Sequence, residues 1–338
     1  MDHLPERLDA LEHHVQALQQ ETRTAKRRLR WWRGLAGGLV VLGLSTWALP
    51  VVTADDAKKG LEQRVAALET LLKHFRLDGN EVMITGANLR IVNGLGRTDC
   101  TGTQGEPIPE CPNGLGNLIV GYNELRAPHD DGEDTNARRG SHNVVVGSFH
   151  NFSRFGGLVV GSFNEISGPF ASVCGGTFNT ASGPSSSVSG GQINTASGAA
   201  SSVTGGWTNT ASGDSSSISG GQVNTVSGGT ASVSGGIFNI ASQTAASVTG
   251  GRANTASGIE SSVSGGALNT ASGELSSVSG GENNLASGVK SSVSGGKDTE
   301  AAGEHASVSG GRDVIQDAKE GWAAGSIGGE VTGSFRSP

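Results

Sequence analysis

Small hydrophobic residues recur every fifteen positions through the middle of the chain, between Val173 and Gly311. The first column is aliphatic in ten consecutive repeats: Val173, Val188, Val203, Ile218, Val233, Val248, Val263, Val278, Val293 and Val308. The second column is mostly alanine: Ala181, Ala196, Ala211, Val226, Ala241, Ala256, Ala271, Ala286 and Ala301. The alternating steps of eight and seven residues leave room for two short strands and two turns in each repeat.

A fifteen-residue period is too short for a helical hairpin, and the Val, Thr, Ser and Gly content is typical of strands and turns. We therefore predict a mostly β fold, a parallel β-solenoid in which each repeat forms one coil. Earlier apolar runs at 118–120, 144–146 and 158–160 predict further coils, and the last two runs are fourteen residues apart. The predicted coils are thus 14–15 residues long.

Glycine occupies fixed places in the repeat. A Gly pair recurs from Gly175 to Gly311, and a single glycine recurs from Gly183 to Gly303 with Gln243 as the exception. These columns predict turns, because a Cβ atom would clash where the backbone reverses.

Asparagine precedes the second strand in eight repeats, from Asn179 to Asn284, and stacked amides predict a hydrogen-bonded ladder. Strand alternation predicts that Asn179 and Ala181 face the core and that Phe178 faces outward. Large apolar residues recur in that outward column, which we name the seam: Phe178, Ile193, Val223, Phe238 and Leu268. A row of exposed apolar side chains is typical of a contact surface, so we predict that the seam joins protomers of an oligomer.

The N-terminal segments carry a helical periodicity instead. Steps of three and four residues predict a coiled coil over residues 1–30 through Leu8, Leu11, Val15, Leu18, Thr22, Ala25 and Leu29, with a single amphipathic helix as the alternative. A second series predicts a short coiled-coil stalk over residues 54–77 through Leu61, Val65, Leu68, Leu72 and Phe75.

Residues 31–53 form an apolar run that carries no charge after Arg33. Its length suits one transmembrane helix, and Trp31, Trp32 and Trp47 suit the two membrane interfaces. We therefore predict a signal anchor that holds the chain in the membrane.

The charges beside this run predict its orientation. Basic residues precede it while Asp55 and Asp56 follow, which places the N-terminus in the cytoplasm and the bulk of the chain in the periplasm or outside the cell. A cleaved signal peptide is the alternative, because residues 52–54 offer small side chains at a cleavage position. The long patterned segment ahead of the run favours retention.

The other boundaries follow from the same patterns. Three further segments are predicted: a β connector at 78–140, the solenoid at 141–312, and a cap or tail at 313–338. In the connector we expect short strands at 82–84 and 89–92. In the tail, Trp322 is expected to cap the last coil, whose open edge would otherwise template aggregation.

Composition and charge exclude several classes of function. The chain has 338 residues, of which 55 are glycine and 16% are charged, and its net charge is −7. This profile is typical of a fibrous or repeat protein rather than a compact enzyme. Residues 177–296 contain only six charged side chains, whereas a nucleic-acid surface needs clustered Lys and Arg. We therefore expect no nucleic-acid partner.

The three cysteines allow limited inference. Cys100 and Cys111 share one loop and are either a disulfide of an extracytoplasmic protein or two free thiols. Cys174 stands in a column otherwise held by residues such as Ser189 and Thr204. We predict that it is a small strand residue rather than a nucleophile.

The sequence lacks the motifs of catalysis and cofactor binding. No Lys-Ser or Lys-Thr follows a Gly pair as in a phosphate-binding loop, no Gly-x-Ser-x-Gly stands between a strand and a helix, and the repeats lack the Asp of calcium-binding solenoids. One stretch offers oxygen ligands to a hard cation, although a solvated loop is the simpler interpretation: His129, Asp130, Asp131, Glu133 and Asp134. We expect no cofactor, no bound metal and no enzymatic activity.

The early repeats resemble a known family. The runs at 143–148, 157–162 and 172–176, Asn-Val-Val-Val-Gly-Ser, Gly-Leu-Val-Val-Gly-Ser and Ser-Val-Cys-Gly-Gly, look like the head repeats of trimeric autotransporter adhesins of the YadA-like kind. The resemblance covers about residues 114–312 and implies a parallel β-roll, with three rolls beside a coiled-coil stalk in a homotrimer. The family's C-terminal β-barrel anchor has no counterpart in residues 325–338, which are short and polar, so we expect the N-terminal helix to be the anchor.

Two functions from different classes fit these patterns. The first is a non-enzymatic, membrane-anchored trimeric fibre that presents a solenoid rod, in a structural or adhesin-like role with a glycan or matrix ligand. The apolar seam and the heptads favour it. The second is a surface-binding solenoid for ice or a crystalline glycan, favoured by a regular hydroxyl ladder: Thr195, Thr210, Thr225, Thr255 and Thr270.

Overall fold

The computed structural model describes residues 54–102, 104–126 and 136–325. They belong to two compact units, one ending at Asn88 and the other beginning at Leu89. The expected coiled coil at 1–30 and membrane helix at 31–53 lie outside the described residues. In the part of the chain that is described, no helix is both long and apolar enough to cross a bilayer.

The first unit contains helix α1 (Ala54–Leu72) and an antiparallel hairpin of β1 (Phe75–Asp78) and β2 (Glu81–Ile84). The expectation that the helical heptads continue to Phe75 is therefore wrong, because Phe75 pairs with Ile84 in the hairpin. Hydrogen bonds between His74 and Thr85 extend this pairing by one residue and explain why the helix stops there.

The second unit is a stack of coils with two long parallel sheets. The first, which we name the Val sheet, has 14 strands among the described residues. Its strands are Leu118–Val120, Val144–Ser148, Leu158–Ser162, Ser172–Val173, Ser187–Val188, Ser202–Val203, Ser217–Ile218, Ser232–Val233, Ser247–Val248, Ser262–Val263, Ser277–Val278, Ser292–Val293, Ser307–Val308 and Trp322–Ala323.

The second sheet, which we name the Ala sheet, has 12 strands within the same described range. Its strands are Asn151–Phe152, Glu165–Ile166, Thr180–Ala181, Thr195–Ala196, Thr210–Ala211, Thr225–Val226, Ile240–Ala241, Thr255–Ala256, Thr270–Ala271, Leu285–Ala286, Glu300–Ala301 and Ile315–Gln316. Successive coils pair in register, so that Val188 aligns with Val203 and Ala196 with Ala211. The predicted parallel β-solenoid is confirmed.

The core lies between the two sheets and is one side chain deep on each side. From Val144–Ser148 onward the second residue of each strand is buried, as with Val188 and Ala196, while Ser187 and Thr195 are half-buried on the outer faces. The first strand, Leu118–Val120, is exposed. Burial of a valine stabilises a fold by about 1.5–3 kcal/mol, and alanine contributes less. Because the core is so thin, hydrogen bonds between coils must also contribute to the stability of the fold.

A third ladder runs between the two sheets, and the sequence pattern did not predict it. Single residues form parallel bridges from coil to coil, and we name this column the bridge ladder: Ser162, Thr177, Gln192, Trp207, Gln222, Ile237, Arg252, Ala267, Glu282, Lys297 and Arg312. Its members share no residue type, because their side chains point away from the core.

The solenoid extends beyond the predicted boundary at residue 312. Ile315–Gln316 and Trp322–Ala323 add one more coil, so residues 313–325 are not a separate tail. Val314 is fully buried in the place that asparagine holds in earlier coils, which preserves the stack although the Asn and Gly signature has ended. In the connector, 82–84 falls in β2 as predicted, whereas 89–92 forms no strand.

Candidate self-association surface

The seam residues project from one edge of the solenoid. Phe178, Ile193, Phe238 and Leu268 are between 43% and 54% exposed, and Val223 is half-buried. We expected strand alternation to turn these side chains outward, but their backbone conformation does so instead. Each precedes the Ala-sheet strand by two residues and has a left-handed backbone, with φ between 54° and 59°.

A left-handed conformation costs a residue other than glycine roughly 1–2 kcal/mol, and hydrogen bonds between coils hold the seam in it. The N–H of Ile193 donates to the Thr177 carbonyl at 3.1 Å, and that of Leu268 donates to the Arg252 carbonyl at 2.9 Å. Every seam residue is therefore tied to a bridge-ladder carbonyl of the preceding coil.

The asparagine that follows each seam residue belongs to the predicted ladder. These asparagines bond to backbone groups as well as to each other. The N–H of Asn209 donates to Asn194 Oδ1 at 2.9 Å, while its Nδ2 donates to the carbonyls of Gly205 at 3.0 Å and Gly221 at 2.9 Å. Each asparagine thus links its own turn to the coils on both sides. This Asn ladder, from Asn164 to Asn284, keeps the seam residues aligned.

Two further phenylalanines extend the seam column toward the N-terminal coils. The rings of Phe149 and Phe163 stack with centroids 4.5 Å apart, and those of Phe163 and Phe178 stack 4.8 Å apart. These rings bury each other's faces and leave Phe178 about half exposed at the end of the stack. The sequence argument did not include Phe163 and Phe149, although Phe163 lies fifteen residues before Phe178 and Phe149 lies fourteen before Phe163.

Both flanks of the seam carry exposed apolar side chains that the sequence argument missed. Trp207 and Ile237 lie on the bridge-ladder side, and Ile240 lies on the Ala-sheet side in a column held mostly by threonine. The sequence argument missed them because the bridge-ladder column has no shared residue type and because Ile240 departs from its threonine neighbours. Together with Phe238 they widen the seam into an apolar surface in the middle of the rod.

The seam becomes polar toward its C-terminal end. Asn283 Nδ2 donates to Asp298 Oδ1 at 2.7 Å, and on the neighbouring column Lys297 Nζ pairs with Glu282 Oε1 at 2.9 Å. Exposed pairs of this kind contribute about 0–1 kcal/mol. These coils therefore present a solvated face where the earlier coils present an apolar one.

Two arginines hold the segment before the first complete coils. Arg126 donates to the carbonyls of Phe149 and Phe163, both at 2.8 Å, and Arg138 donates to the His150 carbonyl at 3.1 Å and to the carbonyls of Asn123 and Glu124. Burial lowers the pKa of both guanidinium groups, and their mutual repulsion adds to the effect at Arg138. These contacts are structural.

The opposite edge of the rod carries a smaller apolar patch. Its exposed members lie in the turn between the two sheets: Phe170, Ile259, Leu275 and Val289. Between Phe170 and Ile259, the left-handed turn positions include the small residues Ser185 and Ala200, so the patch is discontinuous along the rod.

The hydroxyl ladder has the predicted register over part of its length. Thr195, Thr210 and Thr225 are aligned on adjacent strands and half-buried, but Ile240 interrupts them before Thr255. Cys174 follows a Val-sheet strand, and its exposed thiol occupies the place of Ser189 in the next coil.

The loop between 93 and 113 contains the cross-link that the sequence left open. Cys100 and Cys111 form a disulfide. The acidic stretch from His129 to Asp134 lies outside the described residues, and among those described no group of three or more His, Cys, Asp or Glu side chains could hold a metal ion.

Comparison with known proteins does not assign the chain to a family. No protein-family model matches the sequence, and a search of curated proteins gives no significant match. The likeness to YadA-like head repeats therefore rests on the repeat sequence and on the β-solenoid fold.

Proposed function

We propose that this protein is a non-enzymatic fibre, a β-solenoid rod that associates into a homotrimer through the seam and acts in a structural or adhesin-like role outside the cytoplasmic membrane. The observation that carries the proposal is the exposed apolar edge formed by the seam and its flanks, which is interrupted at Thr208 and Ala253. Exposed apolar surfaces of this kind mark contact sites on otherwise polar proteins.

The geometry of the edge favours three chains. Around a threefold axis, each chain contacts one neighbour with one surface and the second neighbour with another. The seam has two apolar flanks, Trp207 and Ile237 on one side and Ile240 on the other, which provide two such surfaces. On α1, the exposed Leu61, Val65, Leu68 and Leu72 provide a heptad stripe that three helices would cover.

Membrane anchoring through residues 31–53 and export of the rod are part of the same proposal. Their support is the uncharged apolar run and the basic residues ahead of it. A disulfide between Cys100 and Cys111 agrees with an oxidising compartment. A glycan or matrix component is the expected ligand class.

The seam can be tested with substitutions to residues that already stand at the same position in other coils. Asp298 holds the left-handed seam position in a later coil, so aspartate at positions 238 and 268 is compatible with the fold. Sedimentation equilibrium of the full-length chain in a mild non-ionic detergent should show that Phe238→Asp/Leu268→Asp dissociates into single chains. The control is Ala245→Glu on the opposite edge, where Glu260 already stands in the next coil. Equal association of all three proteins would refute the seam.

A second candidate function has its own observation. The aligned Thr195, Thr210 and Thr225 present regular hydroxyls at the spacing of parallel strands, which suits a periodic surface such as ice or a crystalline glycan. This function requires thermal hysteresis or retention on a crystalline glycan, and Thr210→Leu should abolish it without changing the association state.

A further inference from the structure

A concave site lies before the first coils, in the segment that precedes the disulfide-closed loop 100–111. It is a half-open cavity of about 370 Å³, within the size range of small-ligand sites. Its wall is formed by His142 together with Arg90, Val92, Asn93, Gly94, Gly96, Arg97 and Thr98. The site belongs to the second unit and is separate in sequence from the seam.

The charge of the wall is positive and only partly neutralised. Arg97 is held by Asp99 through two hydrogen bonds, at 3.2 Å from Nε and 3.1 Å from Nη2. Arg90 has no hydrogen bond or ion pair within the described residues, so its five N–H donors remain available to a ligand. An unpaired guanidinium group can form two parallel hydrogen bonds to a planar carboxylate.

His142 adds a second unsatisfied donor. Its Nε2 accepts the N–H of Asn93 at 3.2 Å, so the neutral ring carries its proton on Nδ1. That Nδ1 is buried and lacks a hydrogen-bond partner anywhere in the described structure. An acceptor can reach this buried atom only after the ring rotates, and it would then supply the hydrogen bond that the donor lacks.

The wall is rigidly supported. Asn93 is 5% exposed, its Oδ1 accepts the N–H of Leu95 at 2.9 Å, and its carbonyl accepts from Asn113 Nδ2 at 3.1 Å. Its Nδ2 also contacts Cys111 Sγ of the disulfide at 3.6 Å. A site that is ordered before binding loses less entropy when a ligand arrives.

We propose that this cavity binds a carboxylate-bearing sugar, a uronic acid or a similar sugar acid. The carboxylate pairs with Arg90, and sugar hydroxyls accept from His142 Nδ1 and bond to Thr98. Val92 and the backbone of Gly94 and Gly96 contact the apolar face of the ring. The site gives the chain a recognition function that does not depend on association through the seam.

Titration calorimetry of the full-length chain in detergent tests the proposal with galacturonate, galactose and inorganic phosphate as probes. We expect galacturonate to bind, galactose to bind at least about tenfold more weakly because it lacks the charge, and Arg90→Gln to weaken galacturonate binding by about tenfold or more. Arg154→Gln removes an exposed arginine on an early coil and should leave binding unchanged.

Each other outcome overturns a defined part of the proposal. Equal binding of galactose and galacturonate would exclude carboxylate recognition, and preference for phosphate would show a site for inorganic anions instead. Galacturonate binding that survives in Arg90→Gln, with a circular dichroism spectrum like that of the parent, would place the ligand elsewhere. Absence of binding by all three probes would leave the cavity without this function.

Discussion

Asn224 and Asn209 lie in adjacent coils, and the backbone N–H of Asn224 donates to Asn209 Oδ1 at 3.0 Å. Asn224 Nδ2 in turn donates to the carbonyls of Gly220 and Gly236, both at 3.0 Å. Through its backbone N–H and its buried side chain, Asn224 thus links three coils. Since the apolar core is only one residue deep on each side, we infer that the Asn ladder supplies much of the cohesion along the rod.

Replacing Asn224 with aspartate should destabilise the rod strongly. The carboxylate cannot donate to the Gly220 and Gly236 carbonyls, which leaves the Gly220 carbonyl unpaired, leaves the Gly236 carbonyl with only the N–H of Gln222, and places a charge beside both. We expect a loss of roughly 3–5 kcal/mol, measured as amide exchange protection in the surrounding coils. Asn224→Thr is the matched control, because Thr299 already follows Asn284 in the ladder and bonds to its Oδ1. Similar effects of both substitutions would contradict the role of the amide.

The two glycines of each pair should respond differently to alanine. Gly221 has φ +89°, and a Cβ atom there would clash with the carbonyl oxygen of Gly236, whereas a Cβ on Gly220 meets no atom within 4 Å. Gly221→Ala should therefore cost about 3 kcal/mol or more, while Gly220→Ala should change stability by less than about 1 kcal/mol. Urea denaturation of the two variants measures the difference, and equal midpoints would show that the turn is misassigned.

The buried hydroxyl of Ser201 should be dispensable. Its Oγ has no hydrogen-bond partner in the described structure, and Ala231 and Ala246 occupy the same buried column two and three coils later. Removing an unpaired polar group relieves its desolvation cost, so Ser201→Ala should leave stability unchanged or raise it by about 1 kcal/mol. Ser201→Val, which adds volume to a filled core, should destabilise the coil. A marked loss on Ser201→Ala would reveal a hydrogen bond of this hydroxyl.

His150 should make the first coils sensitive to acid. It is 2% exposed at the head of the Asn ladder, where its Nδ1 accepts the N–H of Asn164 at 3.3 Å and its Nε2 donates to the Val146 carbonyl at 3.0 Å. Burial lowers the pKa of His150, and nearby Arg126 adds to this effect. The unfolded chain therefore binds the proton more readily than the folded one, and stability falls as the pH drops through about 6.5, the pKa of an exposed histidine.

Amide exchange of Asn164, corrected for the intrinsic rate, should show this loss between pH 7.5 and 5.5. His150→Asn places the usual ladder residue in the column and should remove the pH dependence while keeping the coil. The window lies above the usual range of carboxylate titration. Protection that changes equally in both proteins would assign the effect to another group.

The sequence predicted the features of the solenoid that repeat without exception. The columns that contain Val188 and Ala196 predicted both sheets and their register, because only the fifteen-residue spacing places a small apolar residue in the core of every repeat. The left-handed conformation at Phe178 was not predictable, because glycine usually marks that region of backbone space and the seam has none. The difference between Gly220 and Gly221 depends on distances to the next coil, which spacing alone does not give.

The outer surface was less predictable than the core for the same reason. Trp207 and Ile237 stand in the bridge ladder, whose side chains face solvent and so follow no pattern. The predicted C-terminal end of the solenoid, residue 312, was too early. Val314 fills the core of the last coil although the Asn and Gly signature has ended. The cavity beside Arg90 is formed by irregular backbone, which carries no periodicity.

The mass of the wild-type full-length chain in detergent, determined by native mass spectrometry, tests the seam most directly. Association around a threefold axis predicts a complex of three chains of 34.1 kDa each after the detergent is removed. A single chain at micromolar concentration would contradict the role of Phe178, Phe238 and Leu268 as an interface.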